Sequence, residues 1–176
     1  MRILKWLFGT VVVLGLVFIA GGFLLPQTVT VARSVEINKP ASDIFPYVNS
    51  LKATQDWSPW LERDPDVKLE YDGPDVGVGA KMAWASENRN VGNGSQEILV
   101  SDPDKLVETA LDFGEMGTAK ARFILEGAGD VTKVTWNLEA DMGTNPVGRW
   151  MGLTLDRLVG GDYEKGLANL KSLVEG

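Results

Sequence analysis

The chain has 176 residues, with 17 Lys and Arg against 24 Asp and Glu, and it contains neither histidine nor cysteine. Disulfides, thiol nucleophiles, thiolate metal sites and histidine-based acid–base or zinc chemistry are thereby excluded, which leaves carboxylates, lysine and tyrosine as titratable catalysts. The length suits one globular domain of ordinary size with an appendage.

The appendage comes first. From Trp6 to Leu25 the sequence reads WLFGTVVVLGLVFIAGGFLL, about twenty residues without a charge, which at roughly 1.5 Å per residue matches the hydrocarbon thickness of a bilayer. The stretch is read as a transmembrane helix. A buried core helix would be shorter. A cleaved secretory signal would suit Arg2, Lys5 and the small residues Ala20-Gly21-Gly22, but its apolar core is also usually shorter.

Arg2 and Lys5 precede the span and the next charge is Arg33. The excess of cytoplasmic positive charge puts the N-terminus inside and the remainder outside, in the periplasm if the source is a Gram-negative bacterium. The expected organisation is an anchor over 1–26 and a globular domain over 27–176. Taking Arg2 and Lys5 from the 17 basic residues leaves 15 against 24 acidic ones, a net charge of −9 that excludes nucleic acid as a partner. Anionic headgroups would repel such a domain unless a local basic patch intervenes.

Past the span, Thr28 to Ile37 (TVTVARSVEI) alternates and is β-branched, predicting a strand. Asn38-Lys39-Pro40-Ala41-Ser42-Asp43 then opens a short helix carrying Ile44, Phe45, Tyr47 and Val48, with Pro46 limiting its length. A second short helix is expected from Leu51 to Trp57, ended by Pro59. Six further strands follow at short spacing: 67–71, 80–84, 96–100, 106–113, 119–125 and 131–140, separated by Gly, Asp, Asn and Pro. This spacing predicts a meander of antiparallel hairpins. Met82 and Trp84 oppose Lys81, Ala121 and Phe123 oppose Lys120 and Arg122, and Val134, Trp136 and Leu138 oppose Asn137 and Glu139, so one sheet face is covered. The cover is a terminal amphipathic helix: Val147, Met151, Leu155, Val159, Tyr163, Leu167, Leu170 and Val174 form one apolar stripe, with a kink or close sheet contact expected at Gly160-Gly161.

Strand, two short helices, six-stranded meander and long terminal helix is the order of the helix-grip fold. The stretches VEINKPASDIFPYV, WSPW, YDGPDVGVGAKMAW, VGNGSQEI, DVTKVTWNLEADM and GGDYEKGLANLKSLVE resemble the polyketide cyclase/dehydrase and lipid-transport branch of the START-like (Bet v 1-like, SRPBCC) superfamily. The resemblance implies an α+β fold in which a curved antiparallel sheet of about seven strands grips a long C-terminal helix, here preceded by one transmembrane helix. It also implies an apolar cavity between sheet and helix, closed by the short helices and hairpin loops. Members bind lipids, sterols, polyketides or hormones, and some are enzymes, so the likeness implies a hollow and not a reaction.

Trp57 and Trp60 frame a Ser-Pro step in DWSPW, where such folds have their cavity mouth. Met82, Trp84, Phe113, Phe123, Trp136, Met151 and Leu155 would face the same interior, offering broad apolar surface for ligand binding. Packing alone is the competing account of each. The glycines at 73, 77, 79, 92 and 94 complete no phosphate-binding motif and are read as turns. Asn93-Gly94-Ser95 matches a glycosylation sequon, but is likewise read as a turn. Glu62, Asp64 and Asp66 lack the spacing of a calcium loop. Asp112, Glu139 and Asp141 are candidates for a catalytic carboxylate pair, and Tyr47, Tyr163 and Asp112 for a proton-moving group.

The expected function is a membrane-anchored binding domain for a small apolar or amphipathic ligand, lipid-like or polyketide-like. No cofactor, metal or catalytic residue is assigned, and no feature names a protein partner. The alternatives are a cyclase or dehydratase using the same cavity, and a ligand-free, membrane-tethered interaction module with a filled interior.

Overall fold

The computed structural model describes residues 2–176, the side chains of Arg2, Leu4 and Glu115 lying outside the description. Its elements are α1 (Arg2–Leu24), β1 (Thr28–Ile37), α2 (Ala41–Val48), α3 (Pro59–Arg63), β2 (Lys68–Asp72), β3 (Lys81–Ala85), β4 (Asn93–Asp102), β5 (Leu106–Asp112), β6 (Thr118–Ala128), β7 (Val131–Asp141), α4 (Pro146–Gly152) and α5 (Leu155–Glu175). Single 3₁₀ turns lie at Ala53–Asp56 and Gly114–Met116.

All seven strands form one antiparallel sheet in the order β1-β7-β6-β5-β4-β3-β2. Strands β2 to β7 are the expected meander, and β1 closes the far side by pairing with β7, Val31 opposite Leu138 and Val35 opposite Val134. The α+β helix-grip architecture with a long C-terminal helix is present as the sequence implied. A register shift between Ile98 and Val100 interrupts the β4–β5 ladder, and such a bulge bends its strand and sharpens the twist.

The inner face carries the side chains that the alternation placed there: Met82, Ile98, Val107, Phe123, Val134, Trp136 and Leu138 are buried. Against them lies α5, contributing Tyr163, Leu167 and Leu170. It comes close to the inner face at Gly166, where a Cβ atom would stand 2.7 Å from Trp136 Cζ3 of β7 and 3.1 Å from Pro59 Cδ of α3.

The terminal apolar stripe does not belong to one helix. The chain breaks at Leu153–Thr154, so Gly160-Gly161 is continuous helix. Gly160 does make the expected close contact, packing under the Arg33 guanidinium, whereas a Cβ at Gly161 would meet open space. Arg33 bonds Asp156 at 2.8 Å and Glu164 at 2.7 Å, pinning the first half of α5 to β1.

Two local readings are also corrected. Pro59 does not merely end a helix over 51–57: it is the first residue of α3, where a missing N–H and fixed φ are tolerated. Asn93-Gly94-Ser95 is the start of β4. The turn falls one residue earlier, where Gly92 has φ +66°.

Helix α1 projects from this body with its apolar side chains exposed along nearly its whole length, which rules out a buried core helix. Lys5–Leu24 is long and apolar enough to cross a membrane. It docks against α4.

Candidate functional site

Between the inner sheet face and the helices lies a cavity of about 300 Å³. Its floor comes from β3 to β7 through Met82, Trp84, Gln96, Thr109, Leu111, Phe113, Ala121, Phe123, Trp136 and Leu138. Its other walls are Val48 and Leu51 near the end of α2, Trp57, Trp60 and Leu61 around α3, and Val159 and Tyr163 of α5. The volume is at the small end of the range for ligand sites, about 300 to 1,000 Å³.

The aromatic wall is ordered around Trp136. Tyr163 stacks on it with ring centroids 4.0 Å apart and Phe123 with centroids 4.8 Å apart. Trp57 and Trp60 meet the same indole edge-on at 5.4 and 5.6 Å. Such pairs add about 0.5 to 1.5 kcal/mol each beyond the area they bury. Trp57 is fixed further: its indole N–H donates to the Tyr47 carbonyl at 3.2 Å, and Asn169 of α5 donates to the Trp57 carbonyl at 3.2 Å. The doubled tryptophan of DWSPW is therefore both packing and cavity wall, with Trp57 buried and Trp60 half-buried.

Polar groups on the wall are few. The Gln96 side-chain amide donates to the Thr109 hydroxyl at 3.0 Å, and that hydroxyl reaches the Ala121 carbonyl at 3.5 Å, so this pair is largely self-satisfied. Burial alone pushes the Tyr163 phenol well above its ordinary range, keeping it protonated at any physiological pH. The Trp136 indole N–H is sealed from water with no hydrogen-bond partner among the described residues. Among the described lining residues only Arg89 and Tyr163 carry titratable side chains.

Of the residues expected from the sequence, Trp57, Trp60, Met82, Trp84, Phe113, Phe123 and Trp136 line this cavity. Met151 and Leu155 do not. Met151 is 65% exposed, because the break at Leu153–Thr154 turns α4 away from the sheet and towards α1. Leu155 packs half-buried against the core. Their places are taken by Val159 and Tyr163, further along α5. Leu111 and Thr109 of β5 were missed, although they alternate with Phe113, the residue just past the strand, and the same period-two signal marks them.

The carboxylate candidates lie elsewhere. Asp112, Glu139 and Asp141 project from the opposite sheet face into an open groove of about 900 Å³ that also carries Glu70, Lys81, Glu97 and Lys120. Glu139 pairs with Arg122 at 2.9 Å. The Gly143 N–H, assisted by Gln27, holds the Asp141 carboxyl below its usual range. Tyr47 packs against the core without reaching the cavity. Glu62 is paired with Lys165 at 2.8 Å, and no cluster of potential metal ligands occurs among the described residues.

The stretch that folds into this sheet, its helices and the cavity between them, residues 28–175, matches a known family described as polyketide cyclase / dehydrase and lipid transport. The chain belongs to this family. Solved structures similar to this family member agree on the fold. Norcoclaurine synthase from Thalictrum flavum, solved with dopamine and hydroxybenzaldehyde, gives a TM-score of 0.61 at 16% identity over 84% of this chain and 86% of that one. The di-domain ARO/CYC StfQ from the steffimycin biosynthetic pathway gives 0.62 at 11% identity, covering 85% of this chain and 51% of that one. Protein CV1439 from Chromobacterium violaceum gives 0.54 at 15% identity over 86% and 99%. At these identities the likeness is one of fold alone. No curated protein matches the sequence significantly.

Proposed function

We propose that this family member is a membrane-anchored binding protein, in which residues 1–26 form a single-pass anchor with a cytoplasmic N-terminus. Residues 27–176 then form an extracytoplasmic domain that holds one small apolar or amphipathic molecule. The observation that carries the reading is the cavity of about 300 Å³ walled by Trp57, Trp60, Trp84, Phe113, Phe123 and Trp136. Aromatic side chains provide large apolar contact at little conformational cost, and the sparse polar groups on the wall suit a ligand with few polar demands. The exposed apolar face of α1 supports the anchor, since about twenty such residues left in water would be a severe liability.

Binding is favoured over proton-transfer catalysis for a physical reason. A general acid or base works best when its pKa lies near the operating pH. Burial displaces Tyr163 away from neutrality, and Asp112, Glu139 and Asp141 face the other side of the sheet. The cyclase or dehydratase alternative then rests on pocket shape and the neutral Tyr163 hydroxyl.

Native mass spectrometry of the full-length protein, followed by organic-solvent extraction, tests the reading. A reproducible co-purified apolar molecule, released on extraction and reduced when the cavity is filled by Ala121→Phe, is the expected result. Protein that emerges empty and binds no added fatty-acid or aromatic probe would overturn it.

A further inference from the structure

The antiparallel registers bring one end of the sheet together. Thr28 lies opposite Asp141, Ala119 opposite Ala140, Asp112 opposite Thr118 and also Ser95, and Ala85 opposite Asn93. The start of β1, the end of β7, the β5–β6 turn around Met116 and the β3–β4 turn over 86–92 therefore share that end. The β4–β5 turn at Asp104 and the β6–β7 turn at Gly129 and Asp130 lie at the other.

The mouth of the cavity is at the first end. Of the lining residues, Arg89 and Asn90 in the β3–β4 turn and Met116 in the β5–β6 turn are exposed, Met116 at 77%. Helix α1 enters at the same end, because only Leu25–Gln27 separate it from β1.

Helix α4 fixes how the two meet. The Trp150 indole N–H donates to the Phe18 carbonyl at 2.9 Å and its ring stacks on Phe18, with centroids 5.2 Å apart. Arg149 donates to the Phe23 and Leu25 carbonyls at 3.1 and 3.2 Å, and Pro146 lies directly against Gly22. Phe18 precedes the end of α1 by about two turns of helix, so Trp150 reaches roughly 9 Å down the helix at about 1.5 Å per residue. That is the depth at which interfacial helices lie in the headgroup and acyl boundary, about 5 to 10 Å. Around it Val147, Met151, Leu153 and Leu158 are exposed large apolar side chains. The charges between 146 and 158 are Arg149, Asp156 and Arg157, and Asp156 is paired with Arg33. With two arginines against one aspartate, this short segment carries a net charge of +1 in an acidic protein, a local attraction to anionic headgroups that offsets part of the repulsion from the rest of the domain.

We propose that the mouth end of the domain lies on the bilayer. Helix α4 and the start of α5 sit in the headgroup layer beside α1, Met116 and the β3–β4 turn rest on the surface, and the cavity opens onto lipid. Its ligand then passes between membrane and cavity without crossing bulk water. This inference rests on the anchored-binding reading above and adds the direction from which the site is filled.

The absence of native cysteine permits a direct test on the full chain. Single substitutions Leu14→Cys, Met116→Cys, Met151→Cys, Leu158→Cys and, as a control at the far end, Asp130→Cys are spin-labelled. The protein is then placed in nanodiscs of phosphatidylethanolamine and phosphatidylglycerol. Collision rates with oxygen, which partitions into lipid, and with a water-soluble nickel chelate report the depth of each label. Labels at 14, 151 and 158 are expected to favour oxygen and lose nickel collisions, the label at 116 to fall between them and the label at 130, and the label at 130 to show the reverse. If Leu14 is in lipid but 116 and 151 match 130, the anchor stands and the mouth proposal falls. A Leu14 label in water defeats the anchor and the proposal together. Spin–spin broadening at 151 would place a second copy of the chain on α4 and would overturn the proposal.

Discussion

Trp136 and Tyr163, from the middle of β7 and the middle of α5, stack with ring centroids 4.0 Å apart and planes 16° from parallel. The contact joins sheet to helix at the cavity wall, and it exists because Gly166, one turn after Tyr163, lets α5 come down onto the indole. Packing of the core and shaping of the cavity are therefore the same event.

Truncating Trp136 to alanine is expected to cost about 3 to 5 kcal/mol, since a large side chain is removed from the centre of four aromatic contacts. Trp136→Phe should be far milder, because it retains much of the packing and deletes an indole N–H that has no partner. Urea unfolding midpoints of the two variants check the contrast.

The helix glycines predict opposite signs. Gly166→Ala would drive a Cβ atom to 2.7 Å from Trp136 Cζ3, so a loss of about 1 to 3 kcal/mol from overpacking is expected. Gly161→Ala meets nothing within 4 Å and replaces a flexible residue in a helix interior, so a gain of about 0.5 to 1 kcal/mol is expected. Chemical denaturation of both, in the same background, decides it.

On the outer sheet face Glu108 accepts from Arg122 and pairs with Lys120 at 3.4 Å. The bond to Arg122, followed by the attraction of both cations, holds its carboxyl below the ordinary glutamate value of 4.5. A depressed folded pKa means that the stabilisation is fully present above that ordinary value and is lost as pH falls through the lowered one. Unfolding free energies measured from pH 7 to pH 3 should show wild type more stable than Glu108→Gln at neutrality, with the gap closing below about pH 4.5. A gap that stays constant across that range would contradict the assignment.

Filling the hollow should separate ligand retention from folding. Ala121 is buried on the cavity floor, so Ala121→Phe directs a ring into the space. Bound apolar probe should fall at least about tenfold, equivalent to 1.4 kcal/mol or more, while the thermal midpoint changes little because the added ring occupies a void. Probe titration beside a thermal melt measures both.

Much of this architecture is legible in the chain itself. Period-two alternation in 119–125 and 131–140 identifies Phe123 and Trp136 as inward residues, and an uncharged run of about twenty residues needs no tertiary information to be recognised as a spanning candidate. Zero histidine and zero cysteine limit the chemistry before any fold is known. The meander follows because each hairpin is closed by its own turn residues, a local property.

What the tertiary structure decided is everything that depends on phase between distant segments. The apolar stripe from Val147 to Val174 keeps helical spacing across Leu153–Thr154 even though the axis changes there, so the spacing placed Met151 in the cavity when α4 in fact leaves it exposed. Period alone records which residues share a face, and it contains no term for a change in the direction of that face. The pairing of β1 with β7 and the outward side of Asp112, Glu139 and Asp141 are likewise long-range facts, as is the entry of α1 at the end of the sheet that carries the β3–β4 and β5–β6 turns. They were settled by which surfaces could be buried together.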